Sequence, residues 1–141
     1  MTKIDFYILS DTNKQAENLF ACKLIEKIYS IGHQIFIYCE HQAQAFAIDE
    51  QLWSFEPSSF IPHNLQGEGP QKPPAVQIGF TAPDAYYHDI LINLSQHVPA
   101  FYHQFKRICE IIPHQEEIKQ AKRQNFRFYQ KKSLKIQTHS I

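Results

Sequence analysis

The sequence predicts an α/β fold: a doubly wound, mostly parallel sheet with helices on both faces. The short segments that predict the strands are apolar almost throughout, as expected of parallel strands buried on both faces. With 141 residues, 43% of them hydrophobic and 20% charged, the chain has enough core-forming side chains for one globular domain over 1–141. Five short apolar runs alternate with segments of helical spacing and lie at 3–10, 34–39, 75–80, 89–94 and 108–112.

The first two strand–helix units follow from the local pattern. After the run 3–10, apolar residues recur at helical spacing through residue 31, and Gly32 is placed to end that helix because glycine readily adopts a left-handed conformation. The run 34–39 predicts a buried strand. Residues 42–53 predict a second helix, with helical spacing at Ala43, Phe46, Ala47, Glu50 and Trp53.

The second half begins with a long irregular segment. Residues 54–74 contain five of the eight prolines and two of the four glycines, which excludes regular structure over most of that length. A loop of about twenty residues is uncommon in a compact domain and is usually functional. Residues 137–141 are expected to fray. Between these segments the pattern predicts two strands, a helix, a last short strand and a final helix, at 75–80, 89–94, 97–107, 108–112 and 115–131.

Cysteine usage and the N-terminus indicate a cytoplasmic protein. Cys22, Cys39 and Cys109 lie among apolar residues and form no C-x-x-C pair, which is typical of buried free thiols in a reducing compartment. Asp5 lies where a signal peptide would need an apolar core, and no apolar run approaches the roughly 20 residues of a membrane span. We therefore expect a chain that is neither exported nor embedded in a membrane.

Folds of this class often bind nucleotides, yet the first strand-to-helix turn has no phosphate-binding loop. Residues 9–13 contain no glycine, and Asp11 would repel a phosphate. The eight histidines form no zinc-type cluster, so we assign nearly all of them to the surface. His63 lies in the long loop near Asn64 and Glu68, but no nucleophile elbow or carboxylate pair accompanies it. The sequence thus predicts no catalytic residue, no metal and no cofactor.

Charge is divided unevenly along the chain, although the net charge is zero. All 14 acidic residues lie at or before Glu117, whereas segment 119–141 holds seven of the 14 basic residues and no acid. Such a division indicates a basic patch for an acidic partner or nucleic acid, or a solvated terminal helix that balances the body. Charge alone leaves both interpretations open.

The predicted final helix has two opposite faces at about 100° per residue. One of these faces is basic, and Phe126 falls on that side, between Lys119 and Lys122. An aromatic side chain in this position suits a ligand that has an apolar group beside a negative charge. The alternative is a phenylalanine packed under the loop at 112–113. The less polar face carries Ile118, Ala121, Asn125 and Phe128. The basic face carries Lys119, Arg123 and Arg127.

Three aromatic residues lie where the second helix meets the long loop. Trp53, Phe55 and Phe60 fall within eight residues and are flanked by prolines, a setting typical of interface anchors. The alternative is that they cap the sheet as part of the core. We assign Phe55 to the core and leave both interpretations open for Trp53 and Phe60.

Two stretches resemble a known family. Residues 48–53 read IDEQLW, and residues 59–70 read SFIPHNLQGEGP, a long and specific string. They resemble the chi subunit of bacterial DNA polymerase III holoenzyme. Supporting matches run from the first strand, through Cys39-Glu40 and the run 89–94, to a K-x-x-x-R pattern at Lys119 and Arg123. The resemblance covers essentially the whole chain.

The resemblance implies a Rossmann-like α/β domain that has lost nucleotide binding and serves as a non-catalytic clamp-loader accessory subunit. Chi proteins bind the acidic C-terminal tail of single-stranded DNA-binding protein, whose terminal Phe and carboxylate enter a basic pocket on the last helix. By position, Lys119 and Arg123 match the basic tail-binding residues, and Ile112 matches the apolar wall. Phe126 stands where the best-known members have Tyr, which removes a hydroxyl contact and keeps the apolar pocket.

The resemblance also implies a separate surface for the psi subunit, which tethers chi to the clamp loader. Trp53 and Phe60 match the two aromatic residues that bind psi, and a superfamily 2 helicase of the DNA-damage response competes for that surface. Contact with nucleic acid would then be mainly indirect.

Two rival functions come from other classes. One is a direct single-stranded nucleic-acid-binding protein that uses the basic segment 119–135, although strand tracking usually needs several stacking aromatics and this stripe has one. The other is a nucleotide-dependent enzyme, which the glycine-free first turn disfavours.

Overall fold

Seven parallel strands form one sheet in the part of the chain that the computed structural model describes, residues 2–13, 15–56, 60–69 and 72–141. The strand order is β3-β4-β2-β5-β6-β1-β7, which confirms the α/β class. The strands are β1 (Lys3–Ile8), β2 (Ile35–Tyr38), β3 (His63–Leu65), β4 (Val76–Gly79), β5 (Ile90–Asn93), β6 (Arg107–Ile112) and β7 (Lys135–Ser140). The helices are α1 (Ala16–Ser30), α2 (Gln42–Ser54) and α3 (Glu116–Lys131).

Both faces of the sheet are covered, and each has its own apolar core. α1 and α2 pack on one face, where Ile25, Ile37 and Ile48 are fully buried. α3 packs on the other face, where Phe6 and Tyr129 are buried. Since successive strand residues point to opposite faces, a strand covered on both sides must be apolar at every position, which explains the continuous runs.

The bounds of α2 agree with the prediction, but its inward face does not. Ala45, Ile48 and Leu52 are buried, whereas Phe46 and Trp53 from the predicted stripe are 48% and 58% exposed. Both stripes have helical spacing, so periodicity alone did not distinguish them. The aliphatic stripe faces the sheet, and the aromatic stripe is left at the surface.

The predicted helix over 97–107 is wrong. That stretch contains one 3₁₀ turn, Tyr102–Gln104, and β6 already begins at Arg107. The backbone N–H groups of Lys106 and Arg107 donate to the Asp89 carbonyl at 2.9 and 3.1 Å. These bonds align the chain beside β5, and the short turn allows the Phe105 side chain to be buried.

Both edge strands are absent from the sequence-based prediction. β3 lies within the irregular segment 54–74 and pairs with β4 over three residues. β7 pairs with β1, so residues 137–141 do not fray and 108–112 is not the last strand. The N–H of Ile141 donates to the Ile8 carbonyl at 3.0 Å. β7 carries a single aliphatic residue, Ile136, too few for a strand signal.

The three cysteines are free and buried, as predicted. Burial raises the pKa of the Cys22, Cys39 and Cys109 thiols to about 12. These thiols are therefore protonated and unreactive near neutral pH.

Candidate functional site

A buried polar cluster determines how α3 faces the sheet. Lys122 is 1% exposed, and its ammonium donates to Glu110 Oε1 and to the Ser95 carbonyl, both at 2.7 Å. Glu110 Oε2 accepts from the Tyr129 hydroxyl at 2.6 Å and from Asn93 Nδ2 at 2.9 Å. Burial and the Glu110 carboxylate raise the pKa of Tyr129, so its hydroxyl stays a donor. Both buried charges are thus paired and hydrogen-bonded.

This cluster shows that the predicted placement of Lys122 on the basic face is wrong. With Lys122 directed at the sheet, a helix of about 100° per residue turns Phe126 by about 40°, Lys119 by about 60° and Arg123 by about 100° from that direction. Phe126 and Lys119 are accordingly half-buried, and Arg123 is exposed. Helical spacing assigns the buried face to Ile118, Ala121, Asn125 and Phe128 only if every lysine of the helix faces solvent, and Lys122 does not.

Four predicted site residues surround a single cavity of about 370 Å³: Lys119, Arg123 and Phe126, which helical spacing placed together, and Ile112, which only the resemblance placed with them. Phe6, Ile8 and Thr138 complete its walls. The rings of Phe6 and Phe126 lie 5.4 Å apart between centroids, so Phe126 forms an apolar wall beside the opening. Its alternative position near residue 112 is compatible with this one because Ile112 lines the same cavity.

Sequence reasoning missed three walls of this cavity. Phe6 and Ile8 are two residues apart in β1 and therefore lie on the same face of the sheet, and that spacing was the available signal. Thr138 had no signal of its own because it reaches the cavity only through the pairing of β7 with β1, in which it lies opposite Phe6.

Lys119 and Arg123 form a cationic rim one helical turn apart. The Lys119 ammonium lies 2.9 Å from His114 Nδ1, a contact to a ring nitrogen and not to a carboxylate. Arg123 Nη1 lies 3.5 Å from Glu116 Oε1, and the two side chains are 59% and 67% exposed. An exposed pair of this kind contributes only about 0–1 kcal/mol, so an incoming carboxylate can replace Glu116. The cavity therefore offers two available cations beside an apolar wall.

Trp53 and Phe60 form an exposed aromatic pair on the other side of the molecule. They are 58% and 71% exposed, and their ring centroids lie 6.1 Å apart. Neither belongs to the core, whereas Phe55 is half-buried and packs against the core under α2, as predicted. Adjacent exposed aromatic side chains are typical anchors of protein interfaces.

A buried histidine supports this pair. The His63 side chain is 1% exposed, contrary to the surface position expected for most histidines. Its Nδ1 donates to the Ile61 carbonyl at 2.6 Å, and its Nε2 lies 3.3 Å from Asp49 Oδ1. The Trp53 ring rests against it with centroids 4.6 Å apart. His63 thus links α2 to β3 behind the aromatic pair.

The long motif builds the edge that presents Phe60. Asn64 Nδ2 donates to the Glu68 carbonyl at 2.6 Å, and Gly67 and Gly69 have φ angles of 86° and 94°, which favour glycine. The motif is therefore partly structural: a strand followed by a tight turn. Ser59 and Pro70, its first and last residues, lie outside the described residues.

The cavity and the aromatic pair lie far apart. Trp53 and Phe60 adjoin β3, whereas the cavity lies over β1 and β7 at the other end of the sheet. Five strand spacings of about 4.8 Å separate β3 from β1, or roughly 24 Å. The two surfaces thus share no residue.

Other kinds of site are absent from the described ranges. No three His, Cys, Asp or Glu side chains there are grouped to hold a metal ion. None of the helices in those ranges has the length and apolar character needed to cross a bilayer.

Comparison with known proteins identifies similar chains over nearly the whole length. A family model described as DNA polymerase III chi subunit, HolC, matches residues 1–137. A curated Pseudomonas aeruginosa protein named DNA polymerase III subunit chi is 36% identical over 141 residues, 100% of this chain and 98% of that protein. Proteins of the same name from Haemophilus influenzae and Escherichia coli are 34% and 30% identical, covering 96% and 98% of this chain and 95% and 97% of theirs.

Proposed function

The chain belongs to the DNA polymerase III chi subunit family, and we propose that it acts as a non-catalytic adaptor of the clamp-loader complex in DNA replication. One surface binds the acidic C-terminal tail of single-stranded DNA-binding protein, and the other binds the psi subunit. The adaptor thereby joins DNA coated with that protein to the polymerase.

The observation that carries the tail-binding role is the union of Lys119, Arg123 and Phe126 around one cavity. A peptide that ends in phenylalanine presents an apolar ring next to a carboxylate, and the cavity presents an apolar wall next to two cations. Each charge-assisted contact contributes about 1.5–3 kcal/mol before the cost of ordering the peptide. We therefore expect modest affinity that falls steeply with salt and rises where several tails are presented together.

Trp53 and Phe60 support the second role. A large exposed aromatic area next to His63 and α2 is the kind of surface that a partner covers at the centre of an interface. Psi is the proposed partner, and a superfamily 2 DNA-repair helicase that uses the same two residues would exclude psi from them.

Direct binding of single-stranded nucleic acid is less well supported. Such binding needs aromatic side chains free to stack along a basic groove. On α3, Phe126 and Phe128 are half-buried, and Phe126 is packed against Phe6. The basic residues of α3 are thus better suited to carboxylates held next to the cavity.

The test is fluorescence anisotropy of a labelled acidic peptide ending in Asp-Ile-Pro-Phe, titrated with the chain at low and moderate salt. We expect Arg123→Ala to abolish binding because it removes the outer cation of the cavity. Lys23→Ala is the matched control, since Lys23 is an exposed cation on α1, on the opposite face of the sheet. It should change the affinity by less than about twofold.

A labelled single-stranded oligonucleotide and psi complete the experiment. The Arg123→Ala variant should still bind psi. The oligonucleotide should bind neither the wild type nor this variant. Oligonucleotide binding without peptide binding would overturn the proposal, and equal loss of peptide and psi binding would show that the two surfaces are not separate.

A further inference from the structure

The outer edge of β7 has backbone groups without partners. Among the described strands, β7 pairs only with β1 and ends the sheet on that side. The N–H of Ile141 donates to Ile8, so every second residue before it also faces β1. Because neighbouring residues of a strand direct their backbone groups to opposite edges, Ile136, Thr138 and Ser140 direct theirs outward. Among the described residues, none donates to or accepts from these groups.

This edge is open to another chain. β7 is six residues long, has no proline, and is largely exposed. Proteins usually blunt such an edge with proline, a bulge, charged side chains along the strand or a covering segment, since it is a template for an added strand, and of these β7 has one lysine at its first position. The formal charge of β7 is Lys135, at its first position, which favours an acidic segment over another basic one.

The outer edge of β7 adjoins the cavity, because Thr138 belongs to both. The Thr138 side chain lines the cavity, while its backbone groups belong to the outer edge. Ile8 and Ile112, which also line it, are the last residues of β1 and β6. A peptide whose terminal residue occupies the cavity therefore ends near the carboxyl end of β7. Its preceding residues then follow β7 in parallel orientation, as every strand pair of this sheet does.

Positive charge lies along that path. In a peptide that follows β7, the residue three positions upstream of the one beside Thr138 lies beside Lys135. At about 3.3 Å per residue, these two peptide residues are roughly 10 Å apart. Lys131 is the last residue of α3 and Lys132 follows it, near the start of β7, and both are exposed. In the described part of the chain, none of these three lysines is ion-paired with a carboxylate.

We propose that β7 accepts the acidic segment upstream of the bound terminal residue as an eighth, parallel strand, with its acidic side chains beside Lys135. This inference rests on the proposed binding of the tail in the cavity. It adds a second determinant to that binding: a backbone ladder that recognises an extended acidic segment.

The test is a set of acidic peptides ending in Asp-Ile-Pro-Phe, each N-methylated at one residue from the third-last position upstream. In an added strand only every second residue directs its N–H at β7, so methylation should weaken binding at alternate positions. We expect about fivefold or greater loss there, the equivalent of one net hydrogen bond, and less than about twofold at the positions between. Neighbouring positions are matched controls because each carries the same methyl group.

A charge exchange tests the register. Lys135→Glu should weaken binding of the acidic peptide. A peptide whose upstream aspartates are replaced with lysine should regain affinity for the Lys135→Glu variant and not for the wild type. Lys27→Glu, an exposed lysine on α1, should have no such effect. Binding that tolerates methylation at every position would overturn this inference and leave the proposed function intact. Failure of the unmethylated peptide to bind would overturn the proposed function itself.

Discussion

Replacing Lys122 with methionine should destabilise the fold strongly, although the residue belongs to the most basic stretch of the sequence. The substitution removes the ammonium that lies 2.7 Å from Glu110 Oε1. It leaves the Glu110 carboxylate, which is 0% exposed, without a positive partner. Methionine retains most of the side-chain volume, so the change tests charge more than packing.

The magnitude follows from the contacts that remain. Removing one partner of a buried pair costs about 3–5 kcal/mol. Glu110 keeps its hydrogen bonds from Tyr129 and Asn93, so we expect a loss at the low end, about 3 kcal/mol. Glu110→Gln in addition removes the orphaned charge, and the double variant should be more stable than Lys122→Met alone.

The measurement is the free energy of unfolding from urea denaturation followed by circular dichroism. Lys119→Met is the matched control: the same substitution one turn away, at a half-buried lysine that pairs with no carboxylate in the described ranges, should change stability by less than about 0.5 kcal/mol. A loss below about 1 kcal/mol in Lys122→Met would refute the reasoning. Simple addition of the stability losses of Lys122→Met and Glu110→Gln in the double variant would also refute the reasoning.

Two further outcomes are expected. Asp5 is buried; burial raises its pKa, but hydrogen bonds with His139 and Arg107 outweigh this and hold it below the usual value. Its ionised form therefore stabilises the fold above about pH 4, and this contribution is lost as the pH falls through the lower pKa of the folded state. The stability difference between wild type and Asp5→Asn, measured by urea denaturation, should shrink as the pH falls, and a constant difference would contradict this assignment. Trp53→Ala should weaken psi binding in calorimetry by tenfold or more, an anchor-sized loss, and should lower stability much less because most of its side chain is exposed. Leu19→Ala, at an exposed position on α1, is its control, and equal losses in both would argue against an aromatic anchor.

Local pattern predicted the interior of the sheet well and its edges poorly. β2 and β5 are buried on both faces, so their sequences are continuous apolar runs. β7 lies at the edge of the sheet, and its mostly polar sequence becomes a strand only through pairing with β1, more than a hundred residues away. The helix predicted over 97–107, before β6, was wrong for a related reason. Its aromatic residues pack across the sheet, a non-local effect that overrides helical spacing.

The candidate site was predicted in part for the same physical reason. Lys119, Arg123 and Phe126 lie on one helix, where spacing determines proximity. Lys122 has the same spacing, and its burial depends on Glu110, a residue of β6 that no helical pattern links to it. Trp53 and Phe60 are adjacent because His63 brings β3 against α2, which the loop sequence did not reveal.

Simultaneous binding at the two surfaces is the most direct test of an adaptor. The acidic peptide should be titrated by calorimetry into the chain alone and into its complex with psi. Because roughly 24 Å separates β3 from β1, we expect the two dissociation constants to agree within about twofold, with psi retained. Displacement of psi by the peptide, or a complex that no longer binds the peptide, would contradict two independent surfaces.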